Sequence, residues 1–214
     1  MKFLYGLGGA NIPVIKEFEI SKNMKIEAGG VIRCTTDGVL SHSAVGSCIG
    51  VAAEDHSGKE DILNKRANGT KLRVDITKDA VYSVPAPRVT AVTGTKNSFT
   101  CAATGISNNL SNGYVVLVQK GENSENTDSV GVRRRIDSVT ISSGTATFNV
   151  TSGAKISQGD IYAIIPYVGF KGMVAEDHKN FACTGSSVVC NLYVIRGDEK
   201  TCELEVLLEK DYIA

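Results

Sequence analysis

Tryptophan is absent from this 214-residue chain, aromatic residues make up only 6%, and histidine occurs three times. Glycan-cleaving sites need two carboxylates in a cleft, commonly beside aromatic platforms. A carbohydrate-processing or lectin role therefore has little to stand on. His42, His56 and His178 belong to no nucleophile-elbow or HExxH pattern. A serine or cysteine nucleophile paired with one of them would have to assemble in space, and nothing in the sequence favours that. Lysine plus arginine and aspartate plus glutamate balance at 23 each. No overall field draws the chain to nucleic acid or to an acidic membrane, and neither is expected as a partner. No apolar run approaches the ~20 residues that span a bilayer. The first ten residues are too short in apolar length and too glycine-rich for a secretory signal, so folding in the cytosol is expected.

The spacing of Cys34, Cys48, Cys101, Cys183, Cys190 and Cys202 contains no CxxC, and no histidine stands at zinc-finger distance. In a reducing compartment these thiols are expected to stay reduced, and most of them to fill apolar strand positions as small hydrophobes. No catalytic, cofactor-binding or metal-binding residue is assigned.

What the chain does have is strand chemistry. Valine, isoleucine and threonine supply about a quarter of it, and glycine reaches 22, which favours strands joined by tight turns. Asp37-Gly38 sits between apolar runs and predicts a hairpin. Ile49-Gly50-Val51-Ala52 follows as a glycine-flanked strand, and Leu72 to Ile76 alternates as another. Ser57 to Glu60 has capping-box spacing ahead of Asp61 to Lys65, which predicts one short helix. Pro85-Ala86-Pro87 removes ladder donors and suits a linker.

From Arg88 onward the composition turns to Thr, Ser, Asn and Gly, with short strands at regular spacing. Phe99, Cys101 and Ala103 share one strand face; Tyr114, Val116 and Val118 share another. Val139 to Val150 predicts a hairpin turning at Ser143-Gly144, with Val139 opposite Phe148, Thr140 opposite Thr147 and Ile141 opposite Ala146. Residues 88–166 thus suggest a small β-sandwich of immunoglobulin-like type. The tail, 167–214, predicts a ribbon. Val188 to Arg196 is followed by a turn at Gly197 to Lys200, then by the alternating Cys202, Leu204, Val206 and Leu208. It is expected to complete the first unit, 1–87, which makes the central block an insertion.

Residues 1–24 look like an arm: Phe3-Leu4-Tyr5, a hinge at Gly6 to Gly9, then Ile12, Val14 and Ile15. Ala53-Glu54-Asp55-His56 is echoed by Ala175-Glu176-Asp177-His178. If the copies met, they would gather metal-type ligands, but no ligand geometry is fixed, and two polar strand exits are the simpler account. Arg133-Arg134-Arg135 follows the acidic-polar loop Glu122 to Asp128, so local pairing is expected there rather than a nucleic-acid patch.

One stretch carries a resemblance. Ala28-Gly29-Gly30-Val31-Ile32, then Asp37-Gly38-Val39-Leu40, then Gly50-Val51-Ala52-Ala53-Glu54-Asp55 is similar to the capsid decoration proteins of tailed phages, whose fold is a small β-tulip. The similarity runs from about Lys25 to Val84. It implies a structural virion protein and not an enzyme, made in the host cytoplasm and bound to the major capsid protein on the head surface. Decoration proteins of this family are commonly homo-oligomers; a trimer is favoured and a dimer is the alternative. The arm residues Phe3, Leu4, Tyr5, Ile12, Val14 and Ile15 become candidates for capsid contact by strand addition. A tail or fibre subunit with an adhesive β-sandwich is the runner-up, and a hydrolytic enzyme ranks last.

Overall fold

The computed structural model describes residues 1–9, 11–20, 24–34, 40–41, 47–56, 71–175, 177–184 and 190–210. The predicted turn at Asp37-Gly38, the predicted helix at 57–65, His42 and Glu176 lie outside the described residues. Within them the protein is mainly β, with three antiparallel sheets and no helix.

Eighteen strands follow one another. The first seven are β1 (Lys2–Gly6), β2 (Ile15–Glu19), β3 (Val31–Cys34), β4 (Leu40–Ser41), β5 (Ser47–Ala52), β6 (Lys71–Asp75) and β7 (Ala80–Pro85). The central block holds β8 (Arg88–Thr90), β9 (Thr93–Gly94), β10 (Ser98–Ala102), β11 (Tyr114–Gln119), β12 (Arg133–Ser142), β13 (Thr145–Val150) and β14 (Ile161–Ile165). The tail adds β15 (Lys171–Val174), β16 (Phe181–Ala182), β17 (Asn191–Asp198) and β18 (Glu203–Leu208). A six-stranded sheet runs β1-β7-β18-β17-β15-β16, and a five-stranded sheet runs β2-β6-β5-β3-β4. The central block forms its own seven-stranded sheet, β8-β14-β11-β12-β13-β10-β9.

The six-stranded sheet joins the two ends of the chain, since β18 pairs with β7 and β7 with β1. Leu204, Val206 and Leu208 are buried while Glu203 stays exposed, the period-two pattern of a half-buried strand. The tail turn falls two residues later than the glycine suggests, at Glu199 to Cys202. Gly197 stays within the ladder, opposite Leu204.

Consecutive strands also cross between sheets. β1 and β2 belong to different sheets, and so do their partners β7 and β6. The result is a two-stranded ribbon that bends from one sheet to the other at residues 7–9 and 11–14 on one strand and 76–79 on its partner.

The seven-stranded sheet folds on itself around an aromatic stack. Phe99 lies 4.9 Å from Phe148, nearly parallel, and 5.1 Å from Tyr162. β12 turns the corner: Arg133 to Arg135 pair with β11, and Ile136 to Ser142 pair with β13 across an irregularity in register. The β12–β13 hairpin has the register its sequence predicts, Val139 with Phe148, Thr140 with Thr147 and Ile141 with Ala146. Ile141 is nonetheless 41% exposed, because the hairpin tip runs past the packed layer.

β11 buries both faces. Tyr114 and Val116 share one side as expected, Val118 falls where the register slips against β14, and Val115 and Leu117 on the other side are buried as well. The reason is packing on two partners. One side lies in the block's interior; the other, with Ile165 opposite Tyr114, adjoins the β17–β18 ribbon through Gly197. One continuous apolar core consequently runs from the six-stranded sheet into the block. A smaller core of Ile20, Ile26, Ile32, Ile49, Leu72 and Val74 closes the other face of the five-stranded sheet.

A candidate docking surface at the bent ribbon

The leading residues are hydrogen-bonded into the sheets rather than projecting as an arm. β1 is the first strand of the six-stranded sheet and β2 the first of the five-stranded one. The register of β1 slips between Phe3 and Tyr5, so that they oppose Tyr82 and Val81 in turn. This bulge around Leu4 sends Phe3 and Tyr5 to opposite faces, although simple alternation would have put them on one. Phe3 meets Tyr82 edge to face at 6.1 Å. The Tyr5 hydroxyl donates to Glu205 Oε2 at 2.9 Å.

The bend is pinned from both strands. Leu7 N–H donates to the Asp79 carbonyl, Ile76 N–H to the Val14 carbonyl, and Val14 N–H to Thr77 Oγ1 at 2.7 Å. Beneath it lies a buried polar knot. Asp75 Oδ1 accepts from the Thr77 amide at 2.9 Å and from the Thr77 hydroxyl at 2.5 Å, and Asp75 Oδ2 accepts from the Tyr82 hydroxyl at 2.9 Å. Lys210 Nζ donates to the Thr77 carbonyl at 2.8 Å and to Tyr82 Oη at 3.0 Å. Burial holds the Lys210 ammonium below its ordinary pKa, with the Asp75 charge opposing that shift. Burial, with the Asp75 charge and hydrogen bond, pushes the Tyr82 phenol well above the usual range. Satisfied in this way, the knot is a rigid support for the bend.

Above the support, apolar side chains reach solvent. Ile12 is 79% exposed, Leu7 and Val14 are each 54% exposed, and Leu4 is 36% exposed. Four of the ten large exposed hydrophobics among the described residues thus fall between residues 4 and 14. Inside the bend a groove of about 350 Å³ is lined by Phe3, Pro13, Ile15, Val51 and Tyr82. Of the six residues singled out from sequence, Phe3 and Ile15 line the groove, Leu4, Ile12 and Val14 form the exposed rim, and Tyr5 is tied to Glu205. Leu7 belongs to the rim too. Its place between glycines disguised it as part of a hinge.

The outer edges of β1 and β2 have no neighbour strand among the described residues. Both are blunted, β1 by its bulge and Lys2, β2 by exposed Lys16, Glu17 and Glu19, as edge strands commonly are.

Among the described residues the echoed tetrapeptides assemble no ligand set. Both copies instead grip the segment 24–31. Ile26 and His56 exchange backbone hydrogen bonds, His56 Nδ1 lies 2.7 Å from the Met24 carbonyl, and Asp55 Oδ1 accepts from Ala28 N–H at 2.7 Å. The His178 carbonyl accepts from Val31 N–H, and Lys179 pairs with Glu27. Among the described residues no group of three or more His, Cys, Asp or Glu side chains converges as a metal would require.

The arginine triplet is consumed locally. Arg133 Nη1 donates to both Glu199 oxygens, at 2.6 and 2.7 Å, and its guanidinium lies over the Tyr114 ring. The buried Arg134 pairs with Asp128 and donates to the Lys96 and Ala154 carbonyls. Arg135 donates to Asn112 Oδ1 at 2.7 Å.

No protein-family model, curated protein or solved structure matches this chain.

Proposed function

We propose that the protein is a capsid decoration protein, a cement subunit that binds the outer face of a tailed-phage head and stabilises it by non-covalent contacts. In this reading the six- and five-stranded sheets form a β-tulip-like base. The 88–166 block is an immunoglobulin-like sandwich carried on it. The observation that carries the proposal is the exposed apolar rim, Leu4, Leu7, Ile12 and Val14, mounted on a bend that the Asp75 knot makes rigid. Full burial of a Leu, Ile or Val side chain is worth roughly 1.5–3 kcal/mol, so four of them give a useful anchor without any chemistry. Rigidity lowers the ordering cost of docking. The stretch resembling decoration proteins, Lys25 to Val84, contains β3, β5 and β6 and supplies the second support.

The partner is the major capsid protein, and the subunit acts as a homo-oligomer, with a trimer ahead of a dimer. Side-chain burial comes first in this contact. Strand addition is secondary, because the β1 and β2 edges are blunted.

The test is co-sedimentation with empty expanded heads, using wild type and the Leu7→Asp, Ile12→Asp, Val14→Asp triple variant. Wild type is expected to pellet with heads and the triple variant to stay in the supernatant with an unchanged melting temperature. A variant that still pellets removes the rim from the account. A wild-type protein that never pellets removes decoration itself, and antibody label found on virion tails would then favour the fibre reading.

A further inference from the structure

Cys48 and Cys190 come together from two different sheets. Cys48 lies on β5 and stands opposite Arg33 of β3 in the ladder of the five-stranded sheet. Cys190 immediately precedes β17 of the six-stranded sheet, and its carbonyl accepts from Val174 N–H. Arg33, itself buried, reaches across and donates from Nε to Cys190 Sγ at 3.3 Å. The Cys48 and Cys190 thiols are hydrogen-bonded partners. Each residue is about 1% exposed, and both belong to one apolar core with Val31 and Val51. The pair differs from Cys101 and Cys183, whose thiols are perturbed by burial.

We propose that Cys48 and Cys190 are an oxidation site, closing to a disulfide that staples the five-stranded sheet to the six-stranded sheet. The oxidant is a small-molecule disulfide of the glutathione class. The Cys190 thiolate, next to the Arg33 guanidinium, attacks one sulfur of that reagent. A mixed disulfide forms and one small-molecule thiolate leaves. The Cys48 thiol then loses its proton and attacks the Cys190 sulfur of the mixed disulfide. The Cys48–Cys190 bond forms, the second small-molecule thiolate leaves, and the two leaving groups take up the two protons. Two protein thiols are oxidised and one reagent disulfide is reduced to two thiols. Burial makes local opening of the sheet junction the slow step, so oxidation proceeds faster during refolding than in the native state. The closed loop spans most of the chain and includes the whole central block, the long-loop case in which a cross-link restricts the unfolded chain most.

The site stands apart from the capsid reading and is tested without any head. The wild-type chain is refolded with oxidised glutathione and, separately, with a reducing agent. Thiols are then counted after denaturation, and peptides are mapped without reduction. The oxidised sample is expected to show four titratable thiols of the six and a peptide link between Cys48 and Cys190. It is also expected to melt at higher temperature than the reduced sample. Cys48→Ala is expected to abolish the link and the difference in melting. Six titratable thiols in the oxidised wild type, a link between other cysteines, or glutathione retained on either sulfur would each overturn the proposal. Because these readouts use the wild-type chain, they decide the matter even if the variant fails to fold.

Discussion

Gly197 passes so close to Ile165 that a Cβ built on it would lie 2.3 Å from Ile165 Cγ2. This is where the tail ribbon and the central block meet, and it leaves no room for a side chain. Gly197→Ala must push Ile165 or the β17 backbone away. A cost of about 1–3 kcal/mol is expected, as for other overpacked sites. Chemical denaturation measures it. Ile165→Ala in the same chain should recover part of the loss, because it empties the space that the new methyl needs.

The β12–β13 hairpin makes the opposite kind of prediction, a gain. Ser143 and Gly144 both have positive φ, 49° and 78°, in a two-residue loop between the paired Ser142 and Thr145. Such loops favour Asn-Gly. Ser143→Asn is expected to stabilise the protein by a few tenths of a kcal/mol, about 0.5 at most. Gly144→Val is expected to destabilise it by about 1 kcal/mol or more, since a β-branched residue pays for positive φ. A melting shift in the wrong direction for either variant would remove the turn argument.

The hairpin was legible because its signal is local. Alternation, turn chemistry and polarity all lie within twelve residues and agree with one another. The same holds for Leu204, Val206 and Leu208. The tail turn was misplaced by two residues because Gly197 looks like a turn residue, whereas it serves a contact with Ile165, more than thirty positions away. The slip that turns Tyr5 away from the face of Phe3 was not legible either, because a bulge leaves no mark in a five-residue window. The leading segment read as an arm on its glycines alone. Its pairing with β7 and β6 depends on strands more than 50 residues downstream. The Cys48–Cys190 contact was beyond reach for the same reason, since pairing across 142 positions is a property of the folded sheets. The exposed rim was half visible: the apolar residues could be read, but not which of them would turn inward.

Asp160 is fully buried and serves as the hub of two loops in the block. Its carboxylate accepts from the Gly121 amide at 3.0 Å, the Ser157 amide at 3.0 Å and Asn126 Nδ2 at 2.8 Å. Burial alone would raise its pKa, but hydrogen bonds from Ser124, Gly121, Asn126 and Ser157 outweigh it and hold the group below the usual carboxylate range. A depressed folded pKa contributes stability that is present above the unfolded value, about 3.9, and lost as pH falls through the folded one. Acid unfolding should therefore steepen below about pH 4. Asp160→Asn leaves amide donors facing donors and is expected to cost about 2–3 kcal/mol at neutral pH. It should also flatten the acid limb in denaturation curves taken from pH 6 to 2. An acid limb identical to wild type would mean that other carboxylates carry it.

On the alkaline side the thiols contribute together with the Tyr82 phenol. Burial pushes Cys101 up to about 11 and Cys183 up to about 12, against an ordinary value near 9. A raised folded pKa means that the folded state keeps its proton after the unfolded chain has lost it. The stability these groups contribute is fully present below about pH 9 and drains away as pH climbs toward 11 and 12. At about 1.4 kcal/mol per unit, Cys101 alone accounts for roughly 2–3 kcal/mol by pH 11. Cys101→Ala and Cys183→Ala should each lower stability by a pH-independent cavity cost and shrink the alkaline fall. Denaturant midpoints from pH 7 to 11 separate the two effects, because the cavity shifts the whole curve and the titration changes its slope. If the single variants lose stability with pH as steeply as wild type does, the buried thiols are not the groups that titrate.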